Sequence, residues 1–238
     1  MADVGKYEQK ALSEARRFVQ SAGRKSSMIQ RSSKHIQNKI NQKIPDQAHQ
    51  LVTESIRSMI ELTLTSSRYI LPVEDAGIVT LEAKEKAVER RLKQYKRTAM
   101  IEGAGTGAGG ILLGMADFPM LLGIKMKFLF DVGQLYGFDV RKHEERVFLL
   151  HVFLLAFSSE KKRQEVLDIL VNWQEAKEWV RQVDWRTLQQ EYRDTIDLAK
   201  MLQLVPGFGA LVGAVANGRF LDKLGETAMN MYRLRLLT

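Results

Sequence analysis

The residues of this 238-residue chain that could do chemistry are four scattered histidines, a few aspartates and a glycine cluster. Gly105, Gly107 and Gly110 match G-x-G-x-x-G, and Asp131 follows about 20 residues on, where a dinucleotide-binding unit places the acid that takes the ribose hydroxyls. That chemistry needs a hydrophobic strand running into the glycines, so that the pyrophosphate meets a helix N-terminus. The stretch before them, KQYKRTAMIE, holds too few apolar residues to be one. No phosphate-loop lysine follows, because the glycines lead into Ile111 and Leu112. No cofactor is expected.

His143 and His151 are eight residues apart, about two helical turns, which is not a metal-ligand spacing. His151 lies inside VFLLHVFLLAF and reads as a core histidine with an internal hydrogen bond. Asp117 precedes Phe118 and Pro119 and suits a helix N-cap, while Asp131 can pair with Lys127 four residues before it. The sequence contains no G-x-S-x-G, H-E-x-x-H or calcium-loop pattern, and no cysteine. No catalytic, cofactor-binding or metal-ligating residue is assigned. An enzyme reading would use Asp117 and Asp131 as part of a hydrolase or lipid-handling pocket.

Charge is the stronger signal. Residues 1–97 hold 19 Lys and Arg against 11 Asp and Glu, whereas residues 98–238 hold 17 of each, so the first part carries the whole net charge of +8. Such asymmetry points to an anionic partner. The candidate contacts are Arg16, Arg17, Arg24, Lys25, Arg31, Lys34 and Lys39. The opening residues MADVGKYEQKALSEARRF mix acids with bases and lack the apolar core of a secretory leader, so a cytoplasmic protein is expected. Residues 103–124 are interrupted by Asp117 and Pro119, and residues 147–157 are too few to span a bilayer.

Helical periodicity positions these groups. Val4, Tyr7, Ala11, Ala15, Phe18 and Ala22 form one stripe that ends at Gly23. A basic helix is expected from about 27 to 43, then further helices over 46–71 and 73–100. A glycine-rich helix follows, then one from 118 to 136. Asp139 is expected to cap a helix running to Phe157, followed by helices over 160–181, 185–204 and 207–236. Trp173 belongs to an apolar stripe, and Trp179 and Trp185 lie nearer its edge. The alternation from Ile124 to Phe130 is the best strand candidate, and no hairpin series accompanies it. The fold class is all-α: a compact multi-helix bundle with glycine-rich, closely packed helical hairpins. Its division is a basic arm over 1–45 and a helical domain over 46–238, or one continuous domain over 1–238.

The segment TAMIEGAGTGAGGILLGMADFPMLLGIKMKFLFDVGQLYGFD resembles the core of the EcsC family, and VPGFGALVGAVANGRFLDKLGETA is similar to that family's C-terminal block. The residues that carry the likeness are Gly103, Gly107, Gly110, Asp117 and Pro119 in the first, and Pro206, Gly209, Gly213 and Asn217 in the second. The resemblance implies a helical protein, without an assigned activity, whose namesake lies beside genes for an ABC transporter. It supplies no catalytic residue.

Charge and resemblance together suggest a non-catalytic accessory protein, cytoplasmic and peripheral at the inner membrane face. Its partner would be the anionic membrane surface or a membrane transporter subunit. A soluble helical protein-interaction module is the alternative, and nucleic acid is not expected because no recognition motif accompanies the basic arm. If Gly107 permits close helix packing, Gly107→Leu overpacks the contact and lowers stability by about 1–3 kcal/mol. On an exposed helix the same change stabilises by several tenths of a kcal/mol, since leucine is the better helix former. A lowered melting temperature beside the parent, with no nucleotide bound by either form, is the expected result.

Overall fold

Helix α5, His143–Phe157, is buried on every side from Glu145 to Phe157. A helix that is apolar all round has to be surrounded, and the other helices do this. A computed structural model describes residues 5–22, 46–66, 70–74, 77–107, 118–180, 184, 186–188, 190–191 and 209–238; at 46–49, 52, 102–107, 160–161 and 209–216 it describes the backbone alone. The helices are α1 Lys6–Ala22, α2 Asp46–Thr65, α3 Leu81–Gly107, α4 Phe118–Tyr136, α5, α6 Glu160–Val171, the single turn α7 Trp173–Ala176, and α8 Gly209–Leu237. Among the described residues there is no strand, and Ile124 to Phe130 lie within α4. The fold is an all-α bundle in which α2, α4, α6 and α8 pack on α5.

The two longest helices, α3 and α8, form the largest interface. They run antiparallel in constant register. Glu85 meets Arg233, Leu92 lies against Gly225, Lys96 pairs with Asp222 at 2.6 Å, and Met100 faces Gly218. Gly225 allows the close approach there, since a Cβ would come within 3.1 Å of the Leu92 side chain, which would have to give way. Gly133 of α4 has the same role, since its Cβ would lie 2.7 Å from Val140 and 2.9 Å from the Tyr232 hydroxyl.

The interior of this interface is charged. The Arg233 guanidinium forks onto both oxygens of the buried Glu85 carboxylate, each at 2.7 Å. Tyr7 of α1 donates to one oxygen at 2.7 Å and Tyr136 of α4 to the other at 3.2 Å. Arg233 also donates to Glu14 at 2.9 Å and to Asn230 at 3.2 Å. Burial, then the hydrogen bond from its hydroxyl to Glu85, holds Tyr7 above the usual phenol range, so it stays a donor. A second fork joins Arg235 to Glu145 at 2.6 and 2.8 Å, with the guanidinium between the rings of Phe138 and Phe148 at 4.0 and 4.2 Å.

Five expected boundaries differ. Helix α3 runs unbroken to Gly107, where an end near 100 and a separate glycine-rich helix are expected from the sequence. Helix α3 begins at Leu81 rather than 73: residues 77–80 are irregular, and the Thr80 hydroxyl accepts from the Ala83 N–H at 3.4 Å as its cap. Helix α2 ends at Thr65 rather than 71. Asp139 does not cap α5: its carboxylate takes the Arg141 N–H at 3.1 Å and that residue's guanidinium, and Lys142 stands at the N-cap. The helix expected over 160–181 breaks at Asn172, whose amide N–H bonds return to the Asp168 carbonyl. The break turns Trp173 inward, edge-on to Phe148. Helix α4 ends where the Tyr-Gly pair suggests. Gly137, at φ 92°, closes it with bonds from Gly137 to Gln134 and from Phe138 to Gly133.

Removing one member of the Glu85–Arg233 pair strands a buried charge. Glu85→Ala is expected to cost about 3–5 kcal/mol, read as a loss of unfolding free energy in denaturant titration. Lys96→Ala, which breaks a half-exposed pair in the same interface, is expected to cost under about 1 kcal/mol.

Candidate functional site

Arg16 and Arg17 lie on the exposed face of α1, with Ala11 and Ala15 on the buried face. The Arg17 guanidinium donates to Ser13 at 3.1 Å. Arg24, Lys25, Arg31, Lys34 and Lys39 lie outside the described residues, as do Gly110, Asp117, Trp185 and Pro206. Gly103 and Gly107 belong to α3, and Gly209 and Gly213 to α8. Asn217 is buried on α8, and Pro119 is exposed in the first turn of α4.

Sequence reasoning missed a basic stripe on α3. Arg90, Lys93 and Arg97 follow one another at spacings of three and four, all exposed, opposite the buried Val88 and Ala99. The stripe runs straight into Met100 and Ile101, and Ile101 is 63% exposed. The signal was present, since residues 90–97 carry five bases and no acid. Reading the helix as merely charged hid it.

A groove of about 750 Å³ opens between α2 and α4, with Tyr95 of α3 also lining it. Leu51, Met59, Leu62, Met120 and Ile124 make it mainly apolar. Lys127 reaches it with a salt bridge to Asp131 behind, and Tyr95 donates to the other Asp131 oxygen at 2.7 Å. Burial, then that hydrogen bond, raises the Tyr95 hydroxyl far above the phenol range. Asp131 is thus held on both oxygens by its own neighbours and is poorly placed to act as a base.

A smaller cavity, about 340 Å³, is lined by His151, Lys162, Asp184, Trp179 and Thr187 among others. The His151 Nδ1 lies 2.8 Å from the Val147 carbonyl, which only accepts, so Nδ1 carries the proton. Burial lowers the imidazole below its ordinary value, and the ring is neutral at pH 7. Asp184 takes the Arg186 N–H at 3.0 Å and the Thr187 hydroxyl at 2.7 Å. His143 stands two turns from His151, about 12 Å along the helix, and the pair shares no site. Among the described residues no three His, Asp or Glu groups gather to hold a metal.

Lys125 is the reactive group that sequence reading passed over. It is 2% exposed, bonded at 3.3 Å to the Leu121 carbonyl of its own helix, with its ammonium 5.9 Å from the Phe220 ring. Burial pushes it down to about 7, so a nucleophilic amine exists near neutral pH. It lines neither concavity and is shut off from substrate. The unfolded chain protonates this lysine near 10.4, so the penalty for burying its charge vanishes above that pH. The cost grows as pH falls towards 7 and is constant below, at roughly 5 kcal/mol in full. Lys125→Met is expected to stabilise the protein by a few kcal/mol at pH 7, with the gain fading between pH 7 and 10. Thermal unfolding of both forms across that range reads it.

No solved structure matches this chain. By sequence it is 47% identical to Protein EcsC of Bacillus subtilis (strain 168) over 214 residues, covering 90% of this chain and 89% of that protein. It is 31% identical to the uncharacterized protein YdbA of the same organism, over 68% of this chain and 61% of that protein. The family model described as EcsC protein family matches residues 9–237, taking in α1 and the basic stripe as well as the two glycine blocks. With a match that runs through every helix described above, the chain belongs to the EcsC family.

Proposed function

We propose that this protein is a non-catalytic accessory protein that binds peripherally to the cytoplasmic face of the membrane, beside an ABC transporter. The observation that carries the reading is the α3 stripe, where Arg90, Lys93 and Arg97 run into exposed Ile101 beside the partly packed Met100. Bases beside outward apolar side chains suit an anionic bilayer surface, where headgroups meet the charges and the apolar groups enter the interface. Each base near an anionic leaflet contributes about 1 kcal/mol, so three give reversible attachment. Arg16 and Arg17 on α1 add two more outward bases. No helix among the described residues is long and apolar enough to cross a membrane, so attachment through a surface is the mode this reading requires. The transporter link comes from the family resemblance.

Sedimentation with vesicles tests the reading. The protein is expected to pellet with phosphatidylglycerol vesicles, to stay in solution with phosphatidylcholine alone, and to be released by high salt. The double variant Lys93→Glu, Arg97→Glu alters two exposed positions and is expected to weaken the attachment at least tenfold, with the melting temperature unchanged. Equal binding to anionic and neutral vesicles at physiological salt would sink the proposal.

A further inference from the structure

We infer that the groove between α2 and α4 binds a free long-chain fatty acid, with the alkyl chain along its apolar wall and the carboxylate on the Lys127 ammonium. The inference deepens the membrane reading, because a protein at a bilayer surface meets such molecules, and it rests on that reading only for the supply of ligand.

Three features of the groove favour this occupant. Its volume, about 750 Å³, falls in the range of about 300–1,000 Å³ typical of small-molecule sites. Its wall is aliphatic, and two of its side chains are methionines, whose unbranched thioethers adapt to a flexible chain. Large apolar side chains stand uncovered at its lip, with Leu71 57% and Met120 42% exposed.

The polar end fits a carboxylate. Lys127 has three N–H donors, and the bridge to Asp131 uses one. Asp131, itself held by Tyr95, fixes the position of the ammonium of Lys127, a residue that lines the groove. Glu54, the acid on the wall, accepts from Gln50 at 2.9 Å on its own helix and is exposed. One anionic head beside Lys127 and one unbranched chain along α2 and α4 match this arrangement of groups.

The test is a fluorescence titration of the full chain with cis-parinaric acid, followed by displacement. Saturable binding of one molecule per chain is expected. Each fully buried methylene is worth about fourfold in affinity. Palmitate should therefore displace the probe at least tenfold more strongly than laurate, even if the open groove covers only part of the chain. Methyl palmitate, which lacks the anionic head, should be at least fivefold weaker than palmitate.

Ser58→Trp places an indole in the groove from an exposed position and should weaken fatty-acid binding at least tenfold, while vesicle attachment persists. Should that variant misfold, Met120→Glu sets a repelling carboxylate at the exposed lip and should do the same. The Lys93→Glu, Arg97→Glu protein should bind the fatty acid normally, so loss of vesicle binding alone leaves the groove assignment standing. Displacement that ignores chain length, or that survives both groove variants, overturns it. So does a dimer that Ser58→Trp dissociates while no acid binds, which would give the groove to a second copy of the chain.

Discussion

The bundle is organised around one buried ion pair. Taking Glu85 and Arg233 out of water costs several kcal/mol for each ion, and their attraction offsets this only when the geometry is good and the remaining polar groups are satisfied. Both conditions hold, because the fork is symmetrical and Tyr7, Tyr136, Glu14 and Asn230 complete it. Such a pair adds little net stability over packed apolar residues. Its effect is on register. A slip of α3 along α8 by one turn moves the partners about 5.4 Å apart and leaves two charges buried without partners. Since the completing groups come from α1, α4 and α8, the same constraint fixes four helices at once.

Register then fixes the outside. With Glu85 opposite Arg233, the antiparallel rise brings Leu92 onto Gly225, and Lys96 onto Asp222. The face of α3 turned inward presents Val88 and Ala99, and the opposite face presents Arg90, Lys93 and Arg97. Tyr95 is turned towards α4, where its hydroxyl meets Asp131 beneath the groove. The Glu145–Arg235 fork fixes α5 against the end of α8 in the same way, and the stacked pair Tyr136 and Tyr232, with Phe138 tilted against Tyr232, fills the space around it. Gly133 makes room for that stack, since any side chain there would collide with the Tyr232 hydroxyl.

Helix type and order were legible because burial writes a 3.6-residue period into the chain, as in α1 with Ala11 and Ala15 inward. Boundaries were less legible where a side chain outside the periodic run decides them. Thr80 starts α3 by one local hydrogen bond, and Asn172 splits a continuous apolar stripe by another. The Asp131–Lys127 pair was readable from spacing alone, since both lie on α4 one turn apart. The groove was not, because its wall joins α2, α3 and α4, and periodicity along one helix carries no information on which neighbour it meets. The central ion pair was hidden for the same reason, as its partners are 148 residues apart. The glycine blocks were read as close-packing surfaces.

How the ionisable groups are distributed bears on what kind of function this fold serves. A catalytic site requires a carboxylate, imidazole or amine that a substrate can reach in a reactive state. Glu85 and Glu145 are each held by an arginine fork, and Asp131 by Lys127 and Tyr95. His151 faces a cavity, but its proton is committed to the Val147 carbonyl and the acids near it are engaged within their own elements. Lys125, pushed down to about 7, is enclosed at 2% exposure, while Lys223, pushed down to about 8, is exposed on α8 and lines neither concavity. The interior charges thus act on helix position, each converting a packing choice into an electrostatic requirement. The bases of the α3 stripe have the opposite placement, held outward by the same helix whose other face holds Glu85. A helix that is fixed by charge on one side and left cationic on the other presents its bases from a fixed backbone. A helix axis already fixed in this way would lose little further freedom on meeting a charged surface, which is the advantage the proposed attachment draws on.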